Sequence, residues 1–85
     1  MIIVTIQFLM LNKRKSYDME IPTDVPFSVV VAQIAETINS YNPSYNLSSL
    51  GMCLESKRLG RVLNYDETVE SAGIWNGDFL IYRGI

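Results

Sequence analysis

The two ends of the chain constrain the fold most. From Met1 to Met10 every even position is apolar (Ile2, Val4, Ile6, Phe8, Met10), while Thr5 and Gln7 interrupt the odd set. Period two with β-branched residues specifies a strand. Near the other end, "DFLIY" is a second run of strand formers, Phe79 to Tyr82. These are the most continuously apolar stretches of the chain, and they are expected to lie together at the centre of one sheet, paired in parallel.

Between them, "LNKRKS" reads as a polar, basic turn. "YDMEI" then alternates, with Tyr17, Met19 and Ile21 on one face and Asp18 and Glu20 on the other, completing a β-hairpin. Pro22 ends that strand, and Pro26 suits the first turn of a helix, where its missing N–H costs nothing. From Phe27 to Tyr41, Val30, Ile34, Ile38 and Tyr41 recur at helical spacing. Val29 to Val31 is a β-prone run, but the longer period decides for a helix. "NPSYNLSSLG" is a loop of turn formers. "MCLES" places Met52 and Leu54 on one face and Cys53 and Glu55 on the other; "KRLGR" turns into a short strand, "VLN". "YDETVESAG" reads as one helical turn with Asp66 as N-cap and Gly73 as C-cap, before an Asn76-Gly77 turn. The order is strand, strand, helix, strand, short strand, helical turn, strand. It predicts an α+β fold with a mixed four- to five-stranded sheet packed on one helix, and a single domain over residues 1–85.

Composition narrows function by exclusion. One cysteine and no histidine in 85 residues rule out an intrachain disulfide and leave little to ligate zinc, so the core must hold the fold unaided. A hydrophobic share of 48% makes that feasible. The net charge of −2 is the wrong sign for a nucleic-acid binder held by phosphate contacts. The opening apolar stretch is too short to span a bilayer and lacks the basic start and small-residue cleavage site of a secretion signal, so no membrane insertion is expected and a reducing, cytoplasmic setting is. Without a histidine the usual base for a Ser or Cys nucleophile is missing, and Cys53 reads as a structural thiol. Asp66, Glu67 and Glu70 sit in polar, turn-like surroundings, which give no reason for a raised pKa. Scattered glycines form no phosphate-cradling loop. The expectation is a non-enzyme with no cofactor and no metal.

The chain resembles ubiquitin-like β-grasp proteins over nearly its whole length: the strand at the first residues, the proline-marked corner before the helix, the "LGRVLN" hairpin and "ETVESAGIWNGDFLIY". Thr68, Val69, Ile74 and Asn76 to Asp78 match the residues that open the short turn, fill the core and launch the last strand in such folds. Within them, Gly73-Ile74-Trp75-Asn76-Gly77-Asp78 is similar to the stretch before the last strand in the bacterial YukD-type family. That resemblance implies a cytoplasmic accessory of type VII secretion, the export route of small WXG-motif proteins, working by protein contact and not by conjugation.

Six of the seven basic residues fall in two clusters: Lys13, Arg14 and Lys15 at the expected hairpin tip, and Lys57, Arg58 and Arg61 at or beside another. Each cluster either keeps the sheet edge soluble or meets an acidic partner surface. Trp75 either faces a partner as a hot-spot residue or folds back over its own domain. Lys57 and Arg58 stand where ubiquitin carries its apolar recognition patch, so ubiquitin's receptors are not expected partners. Two rival roles remain: a covalent modifier or sulfur carrier acting through its C-terminus, and a homo-oligomeric module joined by the second face of the first strand (Met1, Ile3, Leu9). The ending "YRGI" favours neither conjugation nor sulfur transfer, because a strand over Phe79 to Tyr82 leaves three residues and a terminal isoleucine.

Overall fold

The computed structural model describes residues 1–10 and 13–84, the side chains of residues 9, 10 and 13 excepted. Among the described residues, five strands form one mixed sheet in the order β2-β1-β5-β3-β4. β1 (Ile2–Met10) pairs antiparallel with β2 (Lys13–Ile21) and parallel with β5 (Phe79–Gly84). β3 (Met52–Ser56) pairs antiparallel with β5 and with the two-residue β4 (Arg61–Val62). The expected parallel union of the first and last strands is therefore present at the centre. This is the ubiquitin-like α+β arrangement, with α1 (Phe27–Tyr41) across one face.

The alternation of β1 decides which face that is. Val4, Ile6 and Phe8 are buried and share a core with Leu54, Leu80 and Tyr82 from the sheet and Phe27, Val30, Val31, Ile34, Ala35 and Ile38 from α1. Ile34 and Ile38 lie one helical turn apart at the centre of that layer. The helix begins without a side-chain cap at Pro26. Its first donors are satisfied from a distance instead: Phe27 N–H donates to the Glu67 carbonyl at 2.8 Å and Ser28 N–H to the Tyr65 carbonyl at 3.1 Å. Beyond α1, a short 3-10 turn (Pro43–Tyr45) leads into a loop held by Asn39, whose side-chain amide donates to the Leu47 carbonyl at 2.8 Å and accepts from Leu47 N–H at 2.7 Å.

Four local expectations need correction. Lys13, Arg14 and Lys15 belong to β2 itself and not to a turn, because the ladder with β1 runs out to Met10↔Lys13; Leu11 and Asn12, the rest of the expected turn, lie outside the described residues. The N-cap of α2 (Val69–Ala72) is Thr68, not Asp66. Thr68 Oγ1 accepts from Ser71 N–H at 3.0 Å while Ser71 Oγ accepts from Thr68 N–H at 2.9 Å, a reciprocal pairing that Asp66 stands too early to make. The short strand starts at Arg61, one residue before "VLN", because Arg61 pairs with Ser56. β5 continues past Tyr82 to Gly84, since Arg83 and Gly84 are in register with Cys53 and Met52. Ile85 lies outside the described residues. Gly73 does close α2 in the left-handed conformation, at φ 75°.

Candidate protein-binding site

The loop that launches β5 is tied into the sheet on one side and carries an exposed indole on the other. Asp78 N–H donates to the Trp75 carbonyl at 3.0 Å, closing a β-turn whose third residue, Gly77, sits at φ 88°, a position for which glycine is the fitting residue. Asn76 Oδ1 accepts from Ile3 N–H at 2.8 Å, and Gly77 N–H donates to the Ile3 carbonyl at 2.7 Å. The turn is thereby stitched to β1.

Arg58 locks the other side. Its Nε lies 3.1 and 3.2 Å from the two carboxylate oxygens of Asp78, its Nη2 lies 3.0 Å from Oδ2, and the same Nη2 donates to the Gly73 carbonyl. Asp78 also accepts from Trp75 N–H at 2.9 Å and is 8% exposed. The Arg58 guanidinium, aided by the Trp75 N–H, holds the Asp78 carboxyl below its ordinary pKa against the opposing effect of burial. Above this pair, the guanidinium carbon sits 3.7 Å from the centroid of the Trp75 ring, a cation–π contact worth about 0.5–1 kcal/mol at an exposed site. Trp75 remains 63% exposed. Of the two readings of this residue, the solvent-facing one holds, and its ring is braced on Arg58.

Apolar surface adjoins it. The sheet face away from α1 carries Ile3 on β1, Phe79 and Ile81 on β5 and Val62 on β4, with Phe79 opposite Thr5, Ile81 between Gln7 and Glu55, and Val62 opposite Glu55. Ile3, Phe79 and Val62 are exposed. Lys57 and Arg58 follow directly on β3 at the border of this surface, where Lys57 N–H donates to the Phe79 carbonyl at 3.2 Å. Sequence reasoning passed over Phe79 because an apolar residue in the last strand reads as core, yet the alternation in β5 places it on the face opposite Leu80 and Tyr82.

The basic residues divide in the same region. Arg58 is committed to Asp78, Arg61 makes a double bond-pair with Glu67 at 2.9 Å for each oxygen, and Arg83 meets Glu55 at 2.9 Å, while Lys57 is exposed. Hydrogen bonds from Arg61 and from Asn64 N–H pull the Glu67 carboxyl down to about 2. Arg14 and Lys15 are exposed on β2, across the sheet from Trp75, so the two basic clusters do not form one surface. Cys53 is buried. Among the described residues no group of histidine, cysteine, aspartate and glutamate side chains is gathered to hold a metal.

A mixed five-stranded sheet with β1 and β5 parallel at its centre and one helix across a face is the arrangement of a ubiquitin-like β-grasp protein. The sequence pattern of the family described as "WXG100 protein secretion system (Wss), protein YukD" matches residues 1–81, and the chain belongs to that family. No curated protein sequence matches it. Among solved structures it is similar to the ubiquitin of Caldiarchaeum subterraneum, with a TM-score of 0.73 at 19% identity, over 99% of this chain and 92% of that one. It is also similar to the EccD5 ubiquitin-like domain from Mycobacterium xenopi, with a TM-score of 0.67 at 14% identity over 99% and 93% of the two chains. A third likeness, to ATBAG1 in complex with HSP70, has a TM-score of 0.67 at 11% identity and covers 99% of this chain but 40% of that one. At these identities the structural likenesses speak for the fold.

Proposed function

We propose that the protein is a non-enzymatic, cytoplasmic accessory of the WXG100 (type VII) secretion system, and that it binds a protein component of that machinery without being conjugated to it. The observation that carries this reading is Trp75: a large aromatic side chain that is exposed yet rests on the Arg58 guanidinium, which Asp78 holds in place, in a turn tied to Ile3. Such an anchor loses little side-chain freedom when it is buried by a partner, which is the property of interface hot spots. Lys57 supplies a charge at the rim, whereas Arg58 serves by holding the ring. Lys13, Arg14 and Lys15 lie on a different edge and are not part of this contact.

The position of Arg83 and Gly84 supports the non-covalent reading. An activating enzyme needs an extended glycine end, and here the Arg-Gly pair is held in the sheet beside Cys53 and Met52. The family membership supports the secretion context. The protein-binding mode also suits a fold shared with part of ATBAG1, whose structure is that of a complex with HSP70.

Titration calorimetry against purified cytoplasmic domains of the secretion components tests the proposal. Trp75→Ala and Phe79→Asp are expected to weaken binding to one of them at least tenfold, with the denaturation midpoint little changed. Equal binding by wild type and both variants to every component sinks the site. Mass spectrometry of the cellular protein under denaturing conditions is expected to show the unmodified chain, and a stable adduct overturns the non-covalent reading.

A further inference from the structure

The sheet has two edges, and they are unlike. β4 is two residues long, a blunt edge. β2 is nine residues long, free of proline and glycine, and its register with β1 runs without a bulge from Ile2↔Ile21 to Met10↔Lys13. Among the described residues its main chain bonds only to β1, which leaves alternate N–H and C=O groups directed outward, able to template another strand. Charge of one sign along such an edge would repel a second copy. The edge instead changes sign along its length: Arg14 and Lys15 stand near its start, Asp18 and Glu20 near its end, all exposed.

That pattern is complementary to itself when reversed. An antiparallel β2–β2 pairing about a two-fold axis at Tyr17 brings all nine residues into register. On the outer face it sets Arg14 opposite Glu20 twice and Ser16 opposite Asp18. On the helix side it sets Tyr17 opposite Tyr17 and Lys15 opposite Met19. Moving the axis to Asp18 opposes two aspartates. Moving it to Ser16 strands Glu20 and sets Arg14 on Asp18, whose carboxylate already accepts from Thr5 Oγ1 at 2.7 Å. The aromatic side chains agree with the axis at Tyr17: this ring stacks on Tyr41 of α1, with centroids 5.7 Å apart and planes 13° apart, and Tyr41 is 64% exposed. The axis therefore brings two stacked tyrosine pairs together at the centre of the seam, as a directly opposed cross-strand aromatic pair.

We infer that the protein forms a symmetric dimer in which the sheet continues from β2 of one copy into β2 of the other, in the single register fixed by Arg14 and Glu20. This interface is isologous, so one charge reversal damages it at two places. It leaves the Trp75 end of each copy open, and its failure would not touch the function proposed above.

Sedimentation equilibrium of wild type, R14E, E20R and an equimolar mixture of the two variants tests it. Wild type is expected to show the dimer, and each variant alone to raise the dimer Kd about tenfold, since both Arg14–Glu20 pairs become like-charge pairs. The mixture is expected to recover a heterodimer, because the E20R copy then presents two arginines to the two glutamates of the R14E copy. Denaturation midpoints that match wild type when measured well below the dimer Kd, where each copy is a monomer, show that the fold is intact. Wild type that keeps the mass of one chain up to about 1 mM overturns the inference. So does a dimer whose Kd neither variant moves, or a mixture that recovers nothing.

Discussion

The two basic clusters look alike in the sequence and act differently in the molecule. Around the β3–β4 turn, Arg58 and Arg61 each face a carboxylate from the segment that precedes β5, so their charge is used within the chain, Arg58 to reach Asp78 across the sheet end and Arg61 to hold the nearby Glu67. On β2, Arg14 and Lys15 are exposed on an open edge, where charge governs what approaches. A run of basic residues is thus either an internal tie or an external face, and what decides is whether the fold returns an acidic residue to it. Asp78 returns to Arg58 across the sheet end because the Asn76-Gly77 turn is stitched to Ile3. Among the described residues, nothing acidic comes back to Arg14 from within the same copy.

Substitutions can break this contrast in order of size. The largest effect tests the layer beneath both clusters: Ile38→Ala is expected to cost about 2–5 kcal/mol in chemical denaturation, because a fully buried side chain leaves a cavity in the core between helix and sheet. Next comes the difference between the clusters themselves. Arg58→Ala leaves the Asp78 carboxylate buried without its partner and is expected to cost about 1.5–3 kcal/mol, whereas Arg14→Ala, measured at a concentration where the protein is monomeric, should stay within about 0.5 kcal/mol. The same Arg58 variant releases the single tryptophan, so quenching of Trp75 fluorescence by acrylamide should rise. If the two alanine variants cost the same, the distinction between tie and face is wrong.

A smaller effect concerns the short helix whose end feeds the tie. Thr68→Ala removes the reciprocal cap on α2 and should cost about 1 kcal/mol, read from the shift in denaturation midpoint. The pH response sharpens the comparison further. Asp78 and Glu67 both have lowered folded-state pKa values, so the stability they contribute is complete above the ordinary carboxylate range and is lost as pH falls through the folded values, which for Glu67 is about 2. Melting temperature should therefore fall on acidification below about pH 4.5, and less steeply in Asp78→Asn than in wild type. At the alkaline end the sign is reversed. Burial first, and the charge of Tyr65 second, raise Tyr82 to about 12, so the stability it contributes should hold up to about pH 10 and fall as pH rises toward 12, a fall that is smaller in Tyr82→Phe. The smallest effect is salt: the exposed Arg61–Glu67 pair should weaken at high ionic strength while the Arg58 tie changes less.

Much of the architecture was legible because it rests on periodicity. Even-numbered positions of β1 and the Val30, Ile34, Ile38 stripe of α1 follow the geometry of strand and helix, and Val4, Ile6 and Phe8 join that stripe in the core. Parallel pairing of β1 with β5 was legible from their shared apolar character. Caps were less so, since Asp66 and Thr68 are both good N-cap residues and only the reciprocal bond with Ser71 separates them. The limit of the hairpin turn was hidden because Lys13 to Lys15 have the composition of a loop, while the ladder that claims them depends on β1. For the candidate site, the exposure of Trp75 was one of two open readings, and nothing in the sequence spacing links residue 58 to residues 75 and 78. That link is a product of chain topology, as is the apolar outer face around Phe79.

The place of β5 has a consequence for how the protein is made. Residues 79–84 form the central strand, between β1 and β3, and the carbonyls of Tyr65 and Glu67 complete the start of the helix at Phe27 and Ser28. A nascent chain lacking its last part therefore has a hairpin with no third strand and a helix with an unfinished first turn. The β1–β2 hairpin closes locally, whereas the long loop between β1 and β5 is repaid by pairing only when residues 79–84 are inserted, so this non-local closure is the costly one. Until residues 79–84 have left the ribosome, β1 presents an open apolar edge to whatever chaperone or neighbouring chain is nearest.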